Sequence, residues 1–73
     1  MKIVRFEAKV FSINSETKFV ELADCPNIGE YPYVKAVEPM LIEAIKKDLR
    51  VNVLASEEKD GTHLTIIEAS IVK

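Results

Sequence analysis

Apolar and polar residues alternate at the beginning of the chain in the manner of a β-strand. Over residues 2–13, one parity carries apolar side chains and the other carries charged ones: Val4, Phe6, Ala8 and Val10 against Arg5, Glu7 and Lys9. This two-residue period predicts a strand with one buried and one solvated face. After the polar turn at 14–16, the alternation resumes over residues 17–24, which predicts a β-hairpin.

The register of this hairpin follows from pairing chemically compatible side chains across the two strands. A three-residue loop at 14–16 gives four matched pairs: Val10 with Val20, Ala8 with Leu22, Lys9 with Glu21, and Phe11 with Phe19. A shift by one residue would place core positions opposite solvent positions. We therefore expect this register.

A loop, a third strand and a helix are predicted in the middle of the chain. Turn-forming residues crowd positions 24–32, and residues 33–37 predict a short strand with Val34 and Ala36 inward and Tyr33 outward. Pro39 suits the first turn of a helix of about ten residues. Its apolar positions recur at helical spacing: Leu41, Ala44, Ile45 and Leu49. Asp48 suits the turn that ends this helix, because Asp tolerates the left-handed conformation.

Two further strands are predicted near the end of the chain. Residues 51–55 place Val51, Val53 and Ala55 on one face, and residues 62–72 are rich in β-branched side chains. The intervening segment 57–61 ends in Asp-Gly, a strong hairpin signal. The predicted order is therefore strand, strand, strand, helix, strand, strand, in a single domain that spans residues 1–73.

This order resembles the OB-fold, a five-stranded Greek-key barrel. The resemblance depends on the strand Val51-Asn52-Val53-Leu54-Ala55 that follows directly from the helix end at 46–50, and on the Asp60-Gly61 turn before the last strand. It implies a mainly β fold, a small OB-type barrel with one helix between strands 3 and 4. OB-folds commonly bend their first strand at a glycine, and this strand has none, so we expect a bulge at 11–13 instead.

Composition narrows the class of function. The chain has 73 residues, of which 48% are hydrophobic and 30% charged, so it is long enough for one folded domain with a thin core. Its net charge of −2 differs from the basic footprint of a duplex-DNA binder. One cysteine, no secretory leader pattern and no long apolar run predict a cytoplasmic protein that does not span a membrane.

The outer face of the first three strands is the predicted binding site, because the OB-fold resemblance implies ligand binding there. The residues that the predicted parities place on it are Arg5, Lys9, Phe11, Phe19, Tyr31, Tyr33 and Lys35. Aromatic rings stack on bases and cations follow phosphates, so the favoured ligand is single-stranded DNA or RNA. Glu7 and Glu21 share the face and leave it a net charge of only about +1.

A protein partner or a second copy of the chain is the alternative ligand for the same aromatic face. Exposed rings are also typical of protein interfaces, and Phe11 or Tyr33 could instead be buried in the core. High salt would weaken phosphate binding and would preserve an apolar interface.

The remaining chemistry-bearing residues predict neither a catalytic nor a metal site, and no cofactor. His63 has no nearby cysteine in sequence and is read as a solvent-facing strand residue. Cys25 is read as a half-buried apolar residue, because no neighbouring cation would activate its thiol. The acidic residues Glu57, Glu58 and Asp60 do not have calcium-loop spacing. We therefore expect a binding module and not an enzyme.

Overall fold

Five strands and one α-helix make up the fold of the computed structural model, which describes residues 2–25, 28–57 and 63–72. The strands are β1 (Lys2–Asn14), β2 (Phe19–Ala23), β3 (Gly29–Pro32), β4 (Arg50–Glu57) and β5 (Leu64–Ile71). A short 3₁₀ helix (Lys35–Val37) leads into α1 (Glu38–Lys47) between β3 and β4. The expected mainly β class and element order are therefore observed.

The strands form one sheet in the order β3-β2-β1-β4-β5, in which all neighbours are antiparallel. The long β1 pairs with β4 along its first half and with β2 along its second half. The named strands do not close into the expected barrel. The two edges of the sheet approach each other at a parallel bridge between Tyr33 and Ile66, where the Val34 N–H donates to the Ile66 carbonyl oxygen at 3.0 Å.

The register of the β1–β2 hairpin differs from the prediction. The turn has four residues, 15–18, and Lys18 adopts a left-handed φ of 60° at its end. Asn14 stabilises this turn, because its side-chain Oδ1 accepts the backbone N–H groups of Glu16 (3.0 Å) and Thr17 (3.2 Å). As a result Phe19 lies opposite Asn14, and the predicted Phe11–Phe19 pair is wrong.

A β-bulge interrupts β1 where one was expected. Val10 lies opposite Leu22 and Ser12 lies opposite Glu21, so Phe11 is the extra residue between them. The bulge keeps the apolar set on one face, because Val10 before it and Ile13 after it both lie opposite inward residues of β2. The predicted inward parity therefore survives although the predicted pairs do not.

The third strand lies earlier than the prediction placed it. Gly29–Pro32 forms β3 inside the segment that was predicted as a loop, whereas Lys35–Val37 is helical. Cross-strand pairing with β2 overrides the turn preference of Gly29 and Pro32, and proline is tolerated because β3 is an edge strand. Val34 and Ala36, predicted to face inward, are exposed.

The core lies between one face of the sheet and α1. Its members come from every strand except β3: Ala8, Val10, Val20, Leu22, Tyr33, Val37, Leu41, Ala44, Val51, Val53, Ala55 and Ile66. Pro39 lies in the first turn of α1, and Asp48 ends the helix in the left-handed conformation, with φ 54° and ψ 48°. Both positions were predicted from the sequence. Leu41 and Ala44 are the buried residues of the helix.

Replacement of Leu41 by alanine tests whether α1 is held by this core. Leu41 is fully buried, so Leu41→Ala should lower the free energy of unfolding by about 2–5 kcal/mol. Lys46→Ala, on the exposed side of the same helix, is the control and should change it by less than about 0.5 kcal/mol. Urea denaturation measures both values. Equal effects of the two variants would contradict the packing of α1 on the sheet.

Candidate binding surface

The outer β1–β3 face is the side of the three strands that points away from the core. Because Val20 and Leu22 are fully buried, the residues that alternate with them on β2 point outward. Two cross-strand rows follow from the register, Ser12–Glu21–Glu30 and Asn14–Phe19–Pro32. We use the name outer β1–β3 face for these six residues together with the bulged Phe11.

Two phenylalanines dominate this face. Phe11 is 62% exposed and Phe19 is 40% exposed, which places both among the most exposed large apolar side chains that the structure describes. The bulge explains the exposure of Phe11, because an extra residue has no partner on β2 and is directed away from the ladder. Ile28, 70% exposed, directly precedes β3.

The two tyrosines do not lie on this face, contrary to the prediction. Tyr31 lies opposite the buried Val20 and packs against the core, and Tyr33 is only 4% exposed. The cause is the earlier position of β3, which reverses the parity assumed for residue 31 and leaves residue 33 at the bridge to β5. The aromatic count of the predicted site therefore falls from four to the two phenylalanines.

Tyr33 instead connects the hairpin turn to the start of α1. Its hydroxyl donates to Glu38 Oε2 at 3.1 Å, and its backbone N–H donates to the Lys18 carbonyl oxygen at 3.0 Å. Burial, the hydrogen bond to Glu38 and the charge of Glu38 all raise the pKa of Tyr33 above its ordinary value. Burial likewise raises the pKa of Tyr31, and the charge of Cys25 adds to it.

The predicted cations are dispersed over the molecule. Lys9 forms an ion pair with Asp48 at 2.8 Å, at the end of α1. Arg5 is exposed on the half of β1 that pairs with β4, opposite Leu54. Lys35 lies on the 3₁₀ helix and borders a groove along α1. The structure therefore brings Phe11 and Phe19 to the outer face of β1–β2 but assembles no cluster of Arg5, Lys9 and Lys35 beside them.

Two glutamates face each other on the outer β1–β3 face. Glu21 and Glu30 are directly opposite on β2 and β3, and no salt bridge joins either carboxylate to a residue in the described ranges. Like charges directly opposite on a sheet repel. The face is therefore aromatic and acidic. Sequence reasoning missed Glu30 and Pro32 because it placed both in a loop.

Arg50 holds the other end of the hairpin. Its guanidinium donates to the carboxylates of Glu7 and Asp24, and its Nη2 donates to the Asp24 carbonyl oxygen at 2.9 Å. The hydrogen bond to Glu7 contributes most to raising the pKa of Arg50, followed by that to Asp24. Asp24 has a φ of 52°, so the contact fixes a left-handed residue where the chain leaves β2.

A cleft of about 860 Å³ lies between the helical segment and the part of the sheet formed by β1, β4 and β5. Val37 and Met40 line it from the helical segment, and Ile67 and Ala69 line it from β5. Arg5 and Glu68 also border the cleft. Its lining thus combines apolar side chains with the charged Arg5, Glu7 and Glu68.

The part of the chain that the structure describes has neither a metal-binding cluster nor a membrane-spanning helix. There, no three His, Cys, Asp or Glu side chains are grouped so that they could hold a metal ion. The ten-residue α1 is too short to cross a membrane, and no other helix within 2–25, 28–57 and 63–72 is long and apolar enough to do so. Cys25 is a half-buried free thiol, and the predicted Asp-Gly turn lies outside the described residues.

Comparison with known proteins adds no family to these observations. No family model matches the chain, and no curated protein matches its sequence.

Burial of Tyr33 predicts a loss of stability at alkaline pH. Because the pKa of Tyr33 is raised in the folded state, its contribution is fully present below about pH 10 and is lost as pH rises above it, where the unfolded chain gives up the phenolic proton first. Tyr33→Phe should therefore flatten the fall in the free energy of unfolding between about pH 9 and 11. Urea denaturation across this range measures the slope.

The same experiment has an internal check. Ultraviolet absorbance titration of the folded protein should show Tyr33 ionising at a higher pH than a free tyrosine. An unchanged alkaline slope in Tyr33→Phe, together with normal titration of both tyrosines, would contradict the burial described above.

Proposed function

We propose that this protein is a non-catalytic binding module with an OB-type arrangement of strands, and that its outer β1–β3 face binds a protein partner. The observation that carries the proposal is the exposure of Phe11 and Phe19 on a face whose charges are acidic. Exposed aromatic side chains within a patch are typical of interaction sites.

The connectivity of the sheet supports the OB-type arrangement. β1 pairs with both β2 and β4, and α1 lies between β3 and β4 in the chain. The parallel bridge between Tyr33 and Ile66 brings the sheet edges together, as a partly open five-stranded barrel requires. The bulge at Phe11 supplies the bend that such a first strand needs.

The distribution of charge favours a protein over single-stranded nucleic acid. Binding to a phosphate backbone depends on Lys and Arg side chains that replace its counterions. Lys9, which precedes this face on β1, is already paired with Asp48. Glu21 and Glu30 add negative charge beside the phenylalanines, and no residue in the described ranges forms a salt bridge with them. Phe11 and Phe19 could stack on bases, but a polyanion would have to approach two carboxylates.

The charges of Glu21 and Glu30 also indicate the chemistry of the partner. A Lys or Arg side chain placed between Glu21 and Glu30 would relieve their repulsion, and the neighbouring aromatic rings also attract cations. Two copies of this chain meeting through this face would bring four glutamates together. We therefore infer a different protein that presents a basic residue beside an apolar one.

Photocrosslinking from the bulge tests this proposal. Phe11 is replaced by photoreactive benzoylphenylalanine, which the exposed bulge accommodates, and the protein is irradiated in an extract of its source organism. We expect a protease-sensitive, nuclease-resistant adduct, because the partner is a protein. The exposed turn residue Thr17, replaced in the same way, is the matched control and should give no such adduct.

Charge reversal sharpens the result. Glu21→Lys combined with Glu30→Lys should abolish the adduct at position 11, since the partner's basic residue would then meet like charge. An adduct that is formed equally from positions 11 and 17, or one that persists after charge reversal, would contradict the proposed face.

Nucleic-acid binding is tested directly by fluorescence anisotropy of labelled single-stranded DNA and RNA at low salt. We expect no saturable binding, because the acidic face repels phosphate. Saturable binding that weakens with salt and is lost in Phe19→Ala would overturn the protein-partner proposal and support the nucleic-acid function instead. Ile3→Ala, which removes an exposed apolar residue of the β1 segment paired with β4, is the matched control.

A further inference from the structure

Some backbone N–H and C=O groups of β5 point away from β4, outward from the edge of the sheet. The Val72 N–H donates to the Arg50 carbonyl oxygen at 2.9 Å, and Ser70 lies opposite Asn52 two residues earlier. Antiparallel pairs alternate between bonded and non-bonded, so Ser70 and Glu68 also direct their N–H and C=O groups toward β4. Ala69 and Ile71 therefore direct theirs toward the open edge.

No described segment covers this part of the edge with a strand. The parallel bridge to Tyr33 ends at Ile66, and the chain then turns into the 3₁₀ helix at Lys35–Val37. A cleft separates Ile67 and Ala69 of β5 from Val37 and Met40 of the helical segment. An edge with free donors and acceptors at alternate residues is a template for an extended strand.

We propose that the β5 edge pairs with β5 of a second copy of this chain, antiparallel and with Ser70 on the twofold axis. In this register Ala69 lies opposite the partner's Ile71, and Ile71 lies opposite the partner's Ala69. Each of these two pairs exchanges two backbone hydrogen bonds, because both of its residues direct their N–H and C=O groups outward. Four backbone hydrogen bonds therefore form between the two chains. All of them use N–H and C=O groups that point outward from the β5 edge of a single chain.

The distribution of side chains along β5 favours a second copy in this register. Glu68 lies opposite the partner's Val72, and the two Glu68 side chains are separated by four residues of strand, about 13 Å. A register centred on Glu68 would place the two carboxylates directly opposite each other, where they repel. In the proposed register, the uncharged Ser70 lies opposite its own copy on the twofold axis. On the core side of the sheet, the small Ala69 of one chain lies opposite the large Ile71 of the other. The edge is thus compatible with its own copy in both charge and size.

Charged substitutions at the axis test the register. Ser70 is exposed and faces its own copy in a non-bonded pair, in which the Cα atoms are about 4.5 Å apart. Light scattering should give wild type a mass of twice the 8.2 kDa chain. Ser70→Lys and Ser70→Glu should each weaken dimerisation by at least about tenfold through like-charge repulsion. Mixing the two variants should restore a dimer that native mass spectrometry identifies as one chain of each.

Ser15, exposed in the hairpin turn, provides the matched control. Ser15→Lys and Ser15→Glu should remain dimeric by themselves and should show no preference for the mixed dimer. A monomeric wild type at millimolar concentration overturns the proposal. So does a Ser70→Lys protein that remains fully dimeric, or a dimer that is lost in Phe11→Ala with Phe19→Ala, since that loss would assign the contact to the outer β1–β3 face.

Amide hydrogen exchange provides a readout on the wild-type chain. The N–H groups of Ala69 and Ile71 should exchange more slowly as protein concentration rises, because dimerisation gives them acceptors. Those of Ser70 and Val72, bonded to β4, should show no comparable change. Exchange at Ala69 and Ile71 that is independent of concentration overturns the proposal. Neither experiment depends on the partner proposed for the outer β1–β3 face, so the two proposals can fail separately.

Discussion

The double pairing of β1 is the constraint on which the rest of the structure depends. One continuous strand supplies the partner for β4 along residues 2–9 and the partner for β2 along residues 9–14. Between these two halves β1 accommodates an extra residue, Phe11, and such a bulge bends the strand that carries it. The exposure of position 11 is thus a consequence of the fold. Because the residue at that position is phenylalanine, the bulge presents an aromatic ring to solvent.

Ion pairs determine the character of the surface as much as the apolar residues do. Lys9 pairs with the residue that ends α1, and Arg50 joins β1 to the segment after β2 through Glu7 and Asp24. Such exposed pairs add little stability individually, but they leave Lys9 and Arg50 already paired with carboxylates. Glu21 and Glu30 receive no such pairing within the described residues. The surface beside Phe19 is therefore acidic although the sequence is nearly balanced in charge.

The sequence predicts the elements of this fold better than it predicts the site. Inward parity, the bulge near Phe11, Pro39 in the first turn of the helix and the left-handed Asp48 all follow from local patterns. The error at the third strand arises because the short alternation over residues 33–37 overlaps the helical spacing of Val37, Leu41 and Ala44, which are buried along the helical segment. β3 itself is specified by pairing with β2, which no local pattern contains. Because β3 lies a few residues earlier than predicted, Tyr31 points toward the core, Tyr33 is buried and Glu30 lies on the outer face.

The two proposed contacts use different strands, and this difference has a consequence for binding. The outer face involves β3, β2 and the second half of β1, whereas the edge pairing involves β5. A dimer joined through residues 69–71 of β5, beyond the bridge to Tyr33, would use no residue of either outer face and would hold the two faces at a fixed spacing. Binding of a partner with two basic motifs would then become intramolecular after the first contact, so affinity would rise without any additional contact on either face. A module with a thin core and a small site gains most from such an arrangement, because each face alone presents only two aromatic anchors.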